Sequence, residues 1–551
     1  MVKAKQVAWQ VLAASVCVLT ISSAARADSL DEQRNRYAQI KQAWDQRQME
    51  TVQALMPTLK DYPLYPYLEY RQLTDDLMNQ PTVTVKNFIQ ANPTLPPART
   101  LQSRFVNELA RREDWRGLLA FSPEKPGTTE AQCNYYYAKW ATGQQEEAWN
   151  GAKELWLTGK SQPNACDSLF GAWRASGKQD PLAYLERIRL AMKAGNTRLV
   201  TTLAGQMPPE YQTISSALIQ LANDPKTVMD FARNTGTTDF TRQMAAVAFT
   251  SVARDDVENA RLMIPSLSQA QQLNDDQTQE LRDIVAWRLM GNDLTDEQAR
   301  WRDDAIMRSN STSLVERRVR MALGNGDRRG LNTWLARLPM EAKEKDEWRY
   351  WQADLLLERG REDEAKSILH ALMQQRGFYP MAAAQRLGEE YSLKIDKAPA
   401  GVNAALVNGP EMARVRELMY WNLDNTARSE WANLVTSRTV DEKAQLARYA
   451  FDNRWWDLSV QATIAGKLWD HLEERFPLAY NDLFKRYTSG KEIPQSYAMA
   501  IARQESAWNP KVRSPVGASG LMQVMPATAA HTVKKFSIPG YSSPSQLLDP
   551  E

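Results

Sequence analysis

Ala322-Leu323-Gly324-Asn325-Gly326-Asp327-Arg328-Arg329-Gly330-Leu331-Asn332-Thr333-Trp334-Leu335 reads as the end of one helix, a glycine turn and the start of a second helix. Gly326 supplies the left-handed residue on which helices commonly stop. The same plan recurs at Tyr136 to Ala138, Gly143, then Glu147 and Ala148; at Ala191, Gly195, then Leu199 to Leu203; and at Ala353, Gly360, then Glu364 and Ala365. Stacked helix pairs of this kind build a superhelical array. Gly326 and Gly360 are 34 residues apart, a tetratricopeptide-like period. The other spacings break that period, so degenerate α-hairpins are predicted and not a regular repeat. From Asp28 to about Tyr391 the two-residue alternation of strands is almost missing, and an all-α fold is predicted. Trp, Tyr and Leu on these helices are read as core, with a sugar-stacking surface as the alternative for individual tryptophans.

Working outward, the run Lys394 to Gly401, followed by Asn408-Gly409-Pro410, interrupts the helical pattern and marks a domain boundary. Helical pattern returns from Glu411 to about Arg475, with Trp421, Trp431, Trp455 and Trp456 as expected core anchors of a linker domain. A second boundary falls near Phe476-Pro477, because the residue before proline is pushed out of the helical region. At the other end, Lys3 and Lys5, an apolar run from Val11 to about Ala24, and Ala25-Arg26-Ala27 have the order of a cleaved secretory leader. That apolar run is shorter than the roughly 20 residues that span a bilayer. The expected division is therefore a leader at 1–27, a helical-hairpin domain at 28–393, a linker domain at 394–475 and a distinct segment at 476–551.

With 551 residues and 43% apolar content, the chain can bury several cores. Sixty-eight Lys and Arg against 66 Asp and Glu leave a formal charge of +2, which argues against a nucleic-acid binder that works by neutralising phosphates. Cys133 and Cys166 survive removal of the leader, and an oxidising compartment permits them to pair; two buried free thiols are the alternative. Two cysteines and the scattered His370, His471 and His531 form no metal-ligand pattern, so neither metal nor cofactor is expected.

The segment from Thr488 onward differs from everything before it. Ile493-Pro494 opens a helix with proline in its first turn. Tyr497, Ile501 and Glu505 follow at i, i+4 and i+8, which places Glu505 on an apolar stripe and predicts that it faces inward. Burial and the nearby helix C-terminus would disfavour its anion, as a residue that must protonate a leaving group requires. The alternative is a helix-end glutamate paired with Arg503 or Arg513. Ser506-Ala507-Trp508-Asn509-Pro510 and Ser514-Pro515-Val516-Gly517-Ala518-Ser519-Gly520-Leu521-Met522-Gln523-Val524-Met525-Pro526 then describe a turn or small hairpin beside the helix end. Such a loop would bring Ser514 and Gln523 near the carboxylate, with Met525 as a soft apolar wall.

The order Glu505-Ser506-x-x-Asn509-Pro510, then Ser514-x-x-Gly517-Ala518-x-Gly520-Leu521-Met522-Gln523-x-Met525-Pro526, resembles the signature of the family 1 soluble lytic murein transglycosylases, and the long exported helical region before it resembles their large periplasmic members. The resemblance implies a superhelical ring of α-hairpins, a linker helical domain, and a goose-type lysozyme-like catalytic domain. It also implies that Ser514 hydrogen-bonds the acetamido region of a sugar, that Gln523 meets a sugar hydroxyl or acetamido group, and that Met525 lines the subsite. The substrate it implies is the peptidoglycan glycan strand, cut in the periplasm by a monomer with cell-wall synthases as candidate partners. The family's catalytic domain extends past the point that Glu551 reaches, with an Asn-Ala-Gly-type motif and a Tyr, so 476–551 reads as its N-terminal part.

Between Ile493 and Leu548 the sole Asp or Glu is Glu505. Ordinary glycosidases use two carboxylates; a site with one points to a route that needs no second. Lytic transglycosylases are understood to work that way, forming a 1,6-anhydromuramoyl end without water. A hydrolytic muramidase and a non-catalytic periplasmic scaffold are the two rival readings.

Overall fold

The computed structural model describes residues 29–399 and 401–551; the expected leader at 1–27 lies outside them. Among the described residues all extended regular structure is helical, and the β features are two isolated bridges, Arg513 with Ser519 and Ser519 with Val524. The four glycine turns fall at the predicted positions. Thr129–Ala141 turns into Gln145–Trp156 at Gly143, Pro181–Lys193 into Thr197–Gly205 at Gly195, Thr312–Gly324 into Arg328–Arg337 at Gly326, and Asp346–Glu358 into Glu362–Met373 at Gly360. Their φ angles are +92°, +70°, +66° and +73°, a region that costs other residues roughly 1–2 kcal/mol. In two of the four pairs a side-chain cap starts the second helix: Asn196 accepts from the Leu199 amide and Asp327 from that of Gly330. Trp156, Trp334 and Trp348 are buried in these layers, which bears out their reading as core.

The chain separates into two compact units. One comprises 99–397 with 470–472, and its main core runs from Cys133 to Leu289. Cys133 and Cys166, both fully buried, are joined as a disulfide that ties Thr129–Ala141 to Ala165–Ala175. Of the two alternatives for these cysteines, pairing is the one adopted. Closing a loop of 33 residues restricts the unfolded chain, so replacing both cysteines by serine should lower stability by about 3–4 kcal/mol. Urea denaturation would measure it, and an unchanged midpoint would contradict it.

The other unit comprises the described residues up to Ala98, together with 398–469 and 473–551. Tyr37, Ile40, Trp44, Tyr62 and Leu68 share a core with Leu418 and Ala427. Buried Glu417 accepts from Arg34 (Nε 3.0 Å, Nη2 2.7 Å) and from the Tyr62 hydroxyl (2.7 Å), which itself accepts from the Trp421 indole (2.9 Å). A second buried pair lies alongside: Arg414 donates to Glu430 at 2.6 and 3.1 Å, and Tyr67 adds a third hydrogen bond at 2.8 Å. Between Leu387 and Ala404 no described residue is helical, in line with the predicted break. Further along this unit, Val460 on the Trp456–Ala465 helix packs with Ala479, Met499, Ala502, Trp508 and Leu521. That small core fixes the helix on which Glu505 sits.

Candidate active site

The helix runs Gln495–Ser506, with Pro494 as its extended N-cap, one position earlier than the first-turn placement expected. Its buried residues are Ala498, Met499, Ala502 and Ser506. Tyr497 is 61% exposed, Ile501 is half-buried and Glu505 is exposed. The predicted inward orientation of Glu505 is therefore corrected. Two stripes of this helix repeat every four residues, 497/501/505 and 498/502/506. Apolar bulk favours the first, whereas packing uses the second, because small Ala and Ser side chains let the indole of Trp508 and the side chain of Leu521 close against the helix.

Among the described residues Glu505 has neither an ion-pair nor a hydrogen-bond partner, so the alternative pairing with Arg503 or Arg513 is not formed. Arg503 instead donates from Nε to the Arg475 carbonyl (2.9 Å) and lies over the Phe476 ring at 5.3 Å. Burial, and then the neighbouring Arg475 charge, hold its guanidinium below the ordinary arginine value. A groove of about 770 Å³ lined by Phe476, Leu478, Gln495, Met499, Arg503 and Trp508 follows this side of the helix. Residues two apart on an α-helix point roughly 200° from one another, so the groove turns away from Glu505.

Two consecutive residues after the helix are left-handed without being glycine: Ala507 (φ +49°) and Trp508 (φ +70°). Ser506 holds this reversal, its Oγ donating to the Ala502 carbonyl (2.9 Å) and accepting from the Trp508 amide (3.2 Å). Trp508 is only 2% exposed, edge-on to Phe484 with 5.8 Å between ring centres. Sequence reasoning misses this feature, since neither Ala nor Trp signals a left-handed backbone.

The expected small hairpin is present from Val512 to Val524. Gly520 donates to the Val512 carbonyl (3.0 Å), Ser519 and Val524 exchange backbone hydrogen bonds (3.1 and 3.2 Å), and Ser514 closes the tip by donating to Ala518 (2.8 Å). Ser514 Oγ accepts from the Ala518 amide at 3.0 Å. Gln523, at φ +47°, donates from Nε2 to the carbonyls of Val512 (3.2 Å) and Gly520 (3.0 Å). Met525 is the exposed N-cap of the Pro526–Phe536 helix. Buried Leu521 anchors the hairpin in the core shared by Met499, Ala502 and Trp508, so Ser514 and Gln523 ride on a loop docked against the helix of Glu505.

Gly520 is irreplaceable on two counts. Its φ is +78°, and a Cβ there would stand 1.7 Å from the Leu547 carbonyl oxygen. Gly520→Ala should cost at least about 2 kcal/mol, from the left-handed backbone and overpacking together. A denaturation midpoint equal to that of the parent chain would refute this.

The C-terminal residues 482–551 match the family model of the transglycosylase SLT domain, and 405–472 match that of the soluble lytic murein transglycosylase L domain. The site thus lies in the stretch that matches the transglycosylase domain, after the helical stretch that matches the L domain. The chain is 86% identical over its 551 residues to the soluble lytic murein transglycosylase of Escherichia coli K12, covering 100% of this chain and 85% of that protein. The crystal structure of the 70 kDa soluble lytic transglycosylase of Escherichia coli superposes with a TM-score of 0.92 at 87% identity, over 95% of this chain and 85% of that one. A structure described as an inactive mutant of lytic transglycosylase Slt from Pseudomonas aeruginosa, with Gln in place of a Glu, superposes with a TM-score of 0.79 at 29% identity, over 94% of this chain and 84% of that one. The chain belongs to the soluble lytic murein transglycosylase family.

Proposed function

We propose that this protein cleaves the β-1,4 bond between N-acetylmuramic acid and N-acetylglucosamine in peptidoglycan, leaves a 1,6-anhydromuramoyl end, and does so in the periplasm with Glu505 as its one catalytic carboxylate. The observation that carries the reading is a lone carboxylate at an exposed helix end, with no partner among the described residues, on a helix against which the hairpin of Ser514 and Gln523 docks, with Met525 directly after it. The inactive Glu-to-Gln relative supports the same assignment.

Glu505 donates its proton to the glycosidic oxygen as the bond to the anomeric carbon breaks. The sugar's 2-acetamido oxygen steadies the cationic centre. The Glu505 carboxylate then takes the proton of the sugar's own C6 hydroxyl, whose oxygen closes on the anomeric carbon. One proton is given and one recovered, so neither water nor a second carboxylate enters, unlike ordinary glycosidases. Bound glycan lying over Glu505 excludes water from the reacting atoms. Ser514 Oγ already accepts from the Ala518 amide, which leaves its hydroxyl hydrogen for the acetamido region. Both carbonyls that hold Gln523 Nε2 belong to the hairpin, so the side chain is fixed and its Oε1 can accept from a sugar hydroxyl or acetamido N–H. Met525 forms the wall of the subsite. No helix among the described residues is long and apolar enough to cross a membrane; the leader-like first 27 residues support an exported location.

Digestion of purified peptidoglycan followed by mass analysis of the released fragments tests the proposal. Anhydro ends are expected; reducing ends would mean a hydrolase, and binding without release a scaffold.

A further inference from the structure

We infer that Ser506 and Trp508 are positioning residues for Glu505: together they hold a strained backbone reversal that sets the direction in which the carboxylate leaves the helix. The inference rests on the reading of Glu505 as the acid.

Among the described residues Glu505 has no side-chain partner, so its own backbone aims it, and the last turn of a helix is where backbones fray. Glu505 lies in that last turn, one residue before its end. Directly after it the chain enters the left-handed region twice in succession, at Ala507 and Trp508. Each non-glycine residue there costs roughly 1–2 kcal/mol, and such strain persists only where the surroundings over-determine it. The holders can be named. Ala507 N donates to the Arg503 carbonyl (3.1 Å), and Asn509 N donates to that of Ser506 (3.0 Å). The Ser506 hydroxyl joins the helix to the reversal, with Ala502 on one side and the Trp508 amide on the other. Trp508 then buries its indole among Val460, Met499, Ala502 and Leu521. Removing the Ser506 hydroxyl orphans a buried Trp508 amide and frees the reversal to relax into right-handed geometry. The helix end, and Glu505 with it, would turn. Reacting groups displaced by about 1 Å lose on the order of a hundredfold in rate.

The test compares the parent chain with Ser506→Ala, Ser506→Thr, Ser506→Ala combined with Ala507→Gly, and Glu505→Gln, each assayed on soluble uncross-linked glycan strands. Ser506→Ala should lower kcat about tenfold or more with KM within about twofold, since aim and not binding is disturbed. Ser506→Thr, which keeps the hydroxyl, should retain most of kcat. Ala507→Gly favours the left-handed backbone without returning the hydroxyl, and should recover much of the lost kcat. Parental kcat in Ser506→Ala, a loss confined to KM, or no recovery by Ala507→Gly would overturn the inference. If Ser506→Ala does not fold, Trp508→Phe, which keeps a ring in the core, must show the same loss in kcat, and parental kcat there would overturn it equally. Turnover by Glu505→Gln would sink the catalytic assignment itself, whereas an inactive Glu505→Gln beside a fully active Ser506→Ala would sink this inference alone.

Discussion

Glu505→Gln is expected to reduce peptidoglycan cleavage by about a thousandfold or more, within the range general acids contribute, and to leave the fold and its stability unchanged. Both halves follow from the same geometry. In the proposed mechanism the carboxylate acts twice in one turnover, first as acid and then as base, and Gln can do neither. Yet Glu505 is exposed and bonded to no other side chain among the described residues, so an isosteric amide disturbs no packing; such surface substitutions usually stay within about 0.5 kcal/mol. Parallel measurement of fragment release and urea denaturation separates the two effects. Retention of more than a small fraction of the activity would place the proton on some other group.

Arg414→Met should be the most damaging single change to stability among those considered, at about 3–5 kcal/mol, because it strands a buried carboxylate. Glu430 is fully buried, and Arg414 grips it with two hydrogen bonds while also donating to the Thr94 hydroxyl at 3.1 Å. Burial pushes the Glu430 carboxyl above the usual carboxylate range even with Arg414 drawing it back. Without the arginine, the hydrogen bond from Tyr67 is what remains to oppose that push. A group whose pKa is raised by folding favours the folded state at low pH and ceases to do so as pH rises through the folded value. The deficit of Arg414→Met should therefore be smallest in mild acid and grow toward neutral pH. Urea midpoints across that range would check it, and a deficit that shrinks with rising pH would contradict the burial of an uncompensated anion.

What is legible in the sequence divides along a physical line. Some helix turns that need a left-handed residue are written as glycine, so Gly143, Gly195, Gly326 and Gly360 can be placed from residue type alone, whereas the left-handed turns at Arg47, Glu113, Gln272 and Arg454 cannot. The hairpin around Ser514 and Gln523 is likewise visible, from its glycines, prolines and short alternation. The side of the helix that Glu505 occupies is not. Tyr497 and Ile501 supply the apolar bulk of one stripe, but the partner that decides packing, Trp508, reaches the helix through a left-handed step that its residue type does not signal. Also hidden is the association of the first helices with the linker region. Arg34 meets Glu417 and Tyr67 meets Glu430 across more than 350 positions of chain, and helical periodicity reports only on neighbours within a few turns. The cysteines stand between: residue type leaves a disulfide and free thiols both open, and only their positions on adjacent helices select pairing.

The central claim is that one side chain opens and closes the sugar without water. It is tested most directly by digesting peptidoglycan in heavy-oxygen water and weighing the new glycan ends. Ends lighter than the hydrolysed form by one water and free of label are predicted. Ends that carry one heavy oxygen would contradict the account, because they would show that water, and not the C6 hydroxyl, had attacked.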